Sequence, residues 1–112
     1  MPSMKPKLLL WSALLLFGTM AGARTEAPAP SDFSRHVRLY SATWCGYCKQ
    51  ARAYLDGRHI PYEDLDVENT ERGRQQFAQL GGKGVPIILV GRQRMDGYER
   101  DELVRMLAKA GW

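Results

Sequence analysis

At 112 residues the chain is long enough for one small domain and too short for two of ordinary size. Its 45% apolar and 25% charged residues are those of a globular protein. The formal charge of +4 is half supplied by Lys5 and Lys7, and the other basic residues alternate with acidic ones, so no stripe for a nucleic acid exists.

The chain opens with the pattern of an export signal. Lys5 and Lys7 precede the apolar core Leu8–Phe17, and Ala21-Gly22-Ala23 supplies the small residues a signal peptidase accepts. The apolar run ends by Met20, short of the roughly 20 residues a spanning helix needs. Residues 1–23 are therefore expected to be a cleaved signal peptide and the protein to be exported, by default to a bacterial periplasm. Any membrane association would run through an uncleaved signal alone. Residues 24–35, rich in proline and small residues, read as a flexible lead. Residues 36–112 form the expected domain.

His36–Ala42 alternates and is rich in β formers, so it reads as the first strand. Cys45 to Arg58 reads as a helix with Cys48, Ala51 and Leu55 on one face and Asp56-Gly57 as its stop. Tyr62–Val67 is a second strand. Asn69 or Thr70 caps a helix that runs to Leu80, buries Phe77 and Leu80, and ends at Gly81-Gly82. Ile87–Val90, apolar throughout, fits a strand buried on both faces. A short strand follows near Arg92–Met95, then a helix from Arg100 to Ala110 with Leu103, Met106, Leu107 and Ala110 at helical spacing. The order β-α-β-α-β-β-α predicts an α/β fold: a four-stranded mixed sheet with helices on both faces.

Chemistry concentrates in "ATWCGYCKQ", which holds the only two cysteines, Cys45 and Cys48. Cys45 falls where a strand gives way to a helix. The unpaired N–H groups and the dipole there stabilise a thiolate, which favours Cys45 as nucleophile. Cys48, one turn deeper, is placed to resolve a mixed disulfide. A closed zinc site needs four ligands, and His36 and His59 lie at the wrong ends of their elements. A structural staple would close a loop too short to add much stability.

"LYSATWCGYCKQARAYL", the Val85-Pro86 that opens "VPIILV", and "DGYERDEL" together resemble the glutaredoxins of the thioredoxin superfamily. The resemblance covers about Val37 to Ala110. It implies a thioredoxin-like fold and a thiol–disulfide oxidoreductase acting on protein or low-molecular-weight thiols and disulfides, recharged by a thiol-reductase electron donor. It implies a cis Pro86 beside Cys45, with the Val85 backbone open to a substrate. Trp44, Tyr47, Gly97 and Tyr98 would line the groove. A monomer is expected, with no metal and no permanently bound cofactor. An alternative from the same family is a dimer holding a [2Fe–2S] cluster, which Gly46 permits. Glutathione is the family's usual co-substrate. Here Ala42 stands where those proteins carry a lysine for a glutathione carboxylate, and Asp96-Gly97 replaces a neutral pair. These departures predict weak use of glutathione.

Overall fold

A computed structural model describes residues 32–112. The export signal expected at 1–23 and most of the lead lie outside the described residues. The elements are α1 (Asp32–Arg35), β1 (Val37–Ser41), α2 (Gly46–Gly57), β2 (Glu63–Asp66), α3 (Glu71–Gln79), β3 (Ile87–Val90), β4 (Gln93–Asp96) and α4 (Arg100–Lys109). The strands form one mixed sheet in the order β2-β1-β3-β4. β1 runs parallel to β2 and antiparallel to β3, and β3 and β4 form an antiparallel hairpin. This is the thioredoxin-like arrangement that the sequence predicts.

Strand alternation assigns the two faces. Val37 and Leu39 of β1, Ile88 and Val90 of β3 and Met95 of β4 point to one side. There they meet Ala51 and Leu55 of α2 and Leu103, Met106 and Leu107 of α4. Tyr40, Leu65, Ile87 and Leu89 point to the other, under Phe77 of α3 and Leu80 at its C-cap. β3 is buried along its whole length because it serves both cores.

The caps explain where each helix begins. Thr70 Oγ1 accepts the Gly73 N–H at 3.0 Å, so Thr70 rather than Asn69 caps α3. Glu99 caps α4 by accepting the Glu102 N–H at 2.8 Å. At the end of α3, Gly81 takes φ 66°, and Gly82 N–H reaches back to the Phe77 carbonyl at 2.9 Å.

Helical structure is present upstream of His36. α1 occupies four residues of the stretch read as a lead, and contacts with Trp112 and Gly91 hold it. Trp112 Nε1 donates to the Arg35 carbonyl at 2.9 Å. The Arg35 guanidinium sits 4.0 Å above the Trp112 ring. Gly91, at φ 59°, lets the backbone of Ser34 approach so closely that a Cβ there would lie 2.8 Å from Ser34 Cα. A partner 77 residues away in sequence leaves no local signal.

Gly73 is packed against the end of β2, and a Cβ there would collide with the Asp66 carbonyl oxygen. Gly73→Ala is expected to destabilise the protein by about 1–3 kcal/mol through overpacking. Gly57→Ala, where a Cβ meets open space, is expected to stabilise it by up to about 1 kcal/mol. Urea unfolding of the two variants beside the parent checks both signs.

Candidate functional site

β1 delivers the chain to the site. After Ser41 a turn closes with Cys45 N–H donating to the Ala42 carbonyl at 3.2 Å, and α2 starts at once. Cys45 is the N-cap residue of α2. Its sulfur accepts the Cys48 backbone N–H at 3.1 Å, the place a serine or aspartate oxygen usually takes. The two cysteines are disulfide-bonded, with Cα atoms 5.2 Å apart. Cys48 is fully buried and Cys45 exposes 4% of its surface. Ala42, buried, and Val85, half-buried, complete an apolar bed around the pair. The peptide between Val85 and Pro86 is cis.

The expected groove residues are distributed unevenly. Trp44 and Tyr47 flank the disulfide and are 67% and 61% exposed. Gly97, at φ 96°, donates its N–H to the Pro86 carbonyl at 2.7 Å and so lies against the cis-proline turn. Tyr98 follows directly after Gly97. Its ring is half-buried against the main core, where burial pushes its phenol above the usual range.

Ala42, the position of the missing lysine, is wholly buried against the cysteines. Asp96 is no free carboxylate either. Arg94 donates to it through Nε at 2.7 Å and a terminal nitrogen at 3.1 Å, which holds its carboxyl below the ordinary range. The repulsion expected from Asp96 is therefore offset by a guanidinium on the same strand.

Three polar devices escape a reading of the sequence. Buried Ser41 donates to Asp64 Oδ1 at 2.6 Å, and Arg52, one turn beyond Cys48, bonds both Asp64 and the Ser41 hydroxyl. This ties α2 to β1 and β2 behind the disulfide. Second, Asp66 organises the loop after β2. Its Oδ1 accepts the backbone N–H of Glu68 at 2.8 Å and of Asn69 at 2.9 Å, and its Oδ2 accepts the Asn69 amide at 2.9 Å. The spacing in "DVENT" is an Asx-turn signal that could have been recognised. Third, Glu68 accepts the Trp44 indole N–H. No sequence signal exists for that pair.

His36 lies 3.4 Å from Glu63 and His59 follows α2, so neither joins the cysteines. Among the described residues no group of three or more His, Cys, Asp or Glu could hold a metal ion.

The family model for glutaredoxin matches residues 37–95. The chain belongs to the glutaredoxin family. It is 26% identical over 74 residues to a glutaredoxin-like 8.6 kDa protein from the rubredoxin operon of Clostridium pasteurianum, covering 65% of this chain and 99% of that one. It is also 26% identical over 77 residues to glutaredoxin 3 of Escherichia coli, covering 68% of this chain and 90% of the relative. Among solved structures, the glutaredoxin-like NrdH-redoxin of Escherichia coli superposes with a TM-score of 0.56 at 17% identity, over 62% of this chain and 92% of that one. With its cysteine pair at disulfide distance, this glutaredoxin is a thiol–disulfide oxidoreductase. Its class acts on thiols and disulfides.

Asp66 also sets a pH dependence. The Asn69 side chain, then the backbone N–H groups of Asn69 and Glu68, hold its carboxyl below the ordinary value. A carboxyl lowered in the folded state contributes stability above its unfolded value, and the contribution is lost as pH falls through the folded one. The melting temperature is thus expected to drop below about pH 4. Asp66→Asn, which keeps an acceptor oxygen but cannot titrate, flattens that acid limb. Glu63, Glu71 and Asp96, also lowered, leave part of it in place. Thermal melts between pH 5 and pH 3 measure the difference.

Proposed function

We propose that this glutaredoxin is an exported dithiol oxidoreductase in which Cys45 attacks, Cys48 resolves, and a thioredoxin-type donor rather than glutathione supplies the electrons. The observation that carries the roles is the Cys48 N–H directed at the Cys45 sulfur. In the reduced protein that N–H and the α2 N-terminus stabilise negative charge on Cys45, while Cys48 has no such position and no exposure. The Cys45 thiolate attacks one sulfur of a substrate disulfide and expels the other as a thiolate. Cys48 then attacks Cys45, restores the internal disulfide and releases the second substrate thiol. Two electrons pass from the protein to the substrate. Val85, next to the cis peptide bond, makes no backbone hydrogen bond among the described residues, which leaves its edge open to an extended segment.

The donor reading rests on Ala42, whose burial leaves no cation at that position, and on "DGYERDEL", which resembles redoxins served by a thioredoxin reductase. It is supported by the thioredoxin-like activity profile of the NrdH-redoxin. Export rests on residues 1–23 alone. The mass of the N-terminal peptide from a periplasmic extract tests it, and an intact Met1 terminus in the cytoplasm would overturn it.

Mild alkylation of the reduced protein, read by mass spectrometry, is expected to label Cys45 first. Cys48→Ser is expected to accumulate a mixed disulfide on Cys45, and Cys45→Ser to lose all exchange. Equal labelling of both thiols would sink the assignment.

Asp96→Asn removes a negative charge and unpairs Arg94, so both consequences favour anionic glutathione. A surface charge is worth up to about 1 kcal/mol, or roughly five-fold. Turnover of glutathione mixed disulfides is expected to rise by up to that factor at low salt, and less at high salt. A wild-type rate on glutathione equal to that with a thioredoxin-type donor would contradict the donor assignment.

A further inference from the structure

Trp44 combines two properties that rarely meet. It is 67% exposed, yet its indole N–H is held by both carboxylate oxygens of Glu68, at 3.0 and 3.1 Å. An exposed tryptophan satisfies its N–H with water at no structural cost, so a protein acceptor at that point fixes a direction rather than filling a need. Glu68 is itself held. Its backbone N–H goes to Asp66 and its carbonyl accepts Arg74 at 2.9 Å. The turn it sits in is closed by Thr70 Oγ1 donating to the Asp66 carbonyl at 2.7 Å. Val67 packs against the second core, but Glu68, Asn69 and Thr70 are exposed, so hydrogen bonds set the shape of that stretch.

The other wall of the disulfide is Tyr47, 61% exposed, while Cys45 shows only 4% of its surface. A small disulfide meets little more than that sulfur window. A polypeptide disulfide also lays its flanking residues over the two rings and along the open edge of Val85. A ring fixed in advance loses less freedom on docking than one that rotates.

We propose that Glu68 is a positioning residue for disulfide exchange: by fixing the Trp44 ring through its N–H, it makes the site selective for polypeptide disulfides with an apolar side chain beside the cystine, over small ones. This rests on the exchange chemistry proposed above for Cys45 and Cys48. The electrons lost to the substrate are restored in the test by dithiothreitol, a dithiol reductant.

The experiment compares kcat/KM for the interchain disulfides of insulin and for bis(2-hydroxyethyl) disulfide, each with dithiothreitol recycling the protein and each corrected for the uncatalysed rate. Glu68→Ala is expected to lower the ratio of insulin to small-disulfide kcat/KM about five-fold or more, through KM for insulin, which corresponds to about 1 kcal/mol or more. Glu68→Gln, whose amide oxygen still accepts an N–H, is expected to restore the ratio to within two-fold. In a Trp44→Phe background, which lacks the N–H, Glu68→Ala is expected to change the ratio less than two-fold further. An unmoved ratio in Glu68→Ala would overturn the proposal, as would an equal loss in the Trp44→Phe background or a Glu68→Gln variant as impaired as the alanine. A wild type that reduces neither substrate would overturn instead the exchange reading beneath it.

Discussion

One backbone hydrogen bond organises this molecule: Cys48 N–H to the sulfur of Cys45. A helix must satisfy its first N–H groups, and here a redox-active atom does so. For the bond to form, the chain must leave β1 and enter α2 within four residues, and the turn from Ala42 to Cys45 accomplishes that. β1 must then lie inside the sheet, between β2 and β3, so that the cysteines stand over a rigid end. α2 must in turn be clamped, which Ala51 and Leu55 do on the apolar side and Arg52 does on the polar side. The packing of the domain serves the aim of one sulfur.

Around that sulfur the protein separates apolar and polar work. Beneath it lie Ala42 and Val85, which keep water and counter-charges away from Cys48. On the rim, carboxylates are engaged: Asp64 by Arg52 and Ser41, Asp66 by its own loop, Glu68 by Trp44, Asp96 by Arg94. An unpaired anion on the rim would oppose the thiolate at Cys45 by like-charge repulsion. Of these four, Asp64 and Asp96 are salt-bridged to arginines, while Asp66 and Glu68 keep their charge and are fixed in direction by neutral N–H groups.

The sequence made the fold legible because each element carried its own local evidence. Ile87–Val90 could only be a strand with two buried faces, and the spacing of Leu103, Met106 and Leu107 only a helix. Cys45 and Cys48 were legible for the same reason, since both the motif and the helix start are local. What stayed hidden was non-local. Trp44 meets Glu68 across 24 residues, and Trp112 meets Arg35 across 77. Tyr98 was hidden likewise: Gly97 lies against Pro86, and the next ring packs partly against the main core, a contact no local pattern shows. Ala42 was legible only in part. The sequence shows the missing charge, and the fold adds that its small side chain is wholly buried against the two cysteines.

The polarity of the sheet links site to entry. β1 runs from Val37 toward Ser41, so the chain enters the sheet at the end opposite the cysteines. That far end is closed by α1 against Gly91 and by Trp112 over Arg35. The contacts described for α1 run through Trp112 and Gly91, while Trp44 is held by Glu68 and Pro86 meets Gly97. The groups that close the entry of β1 and those that ring the disulfide therefore stand at opposite ends of the same strand.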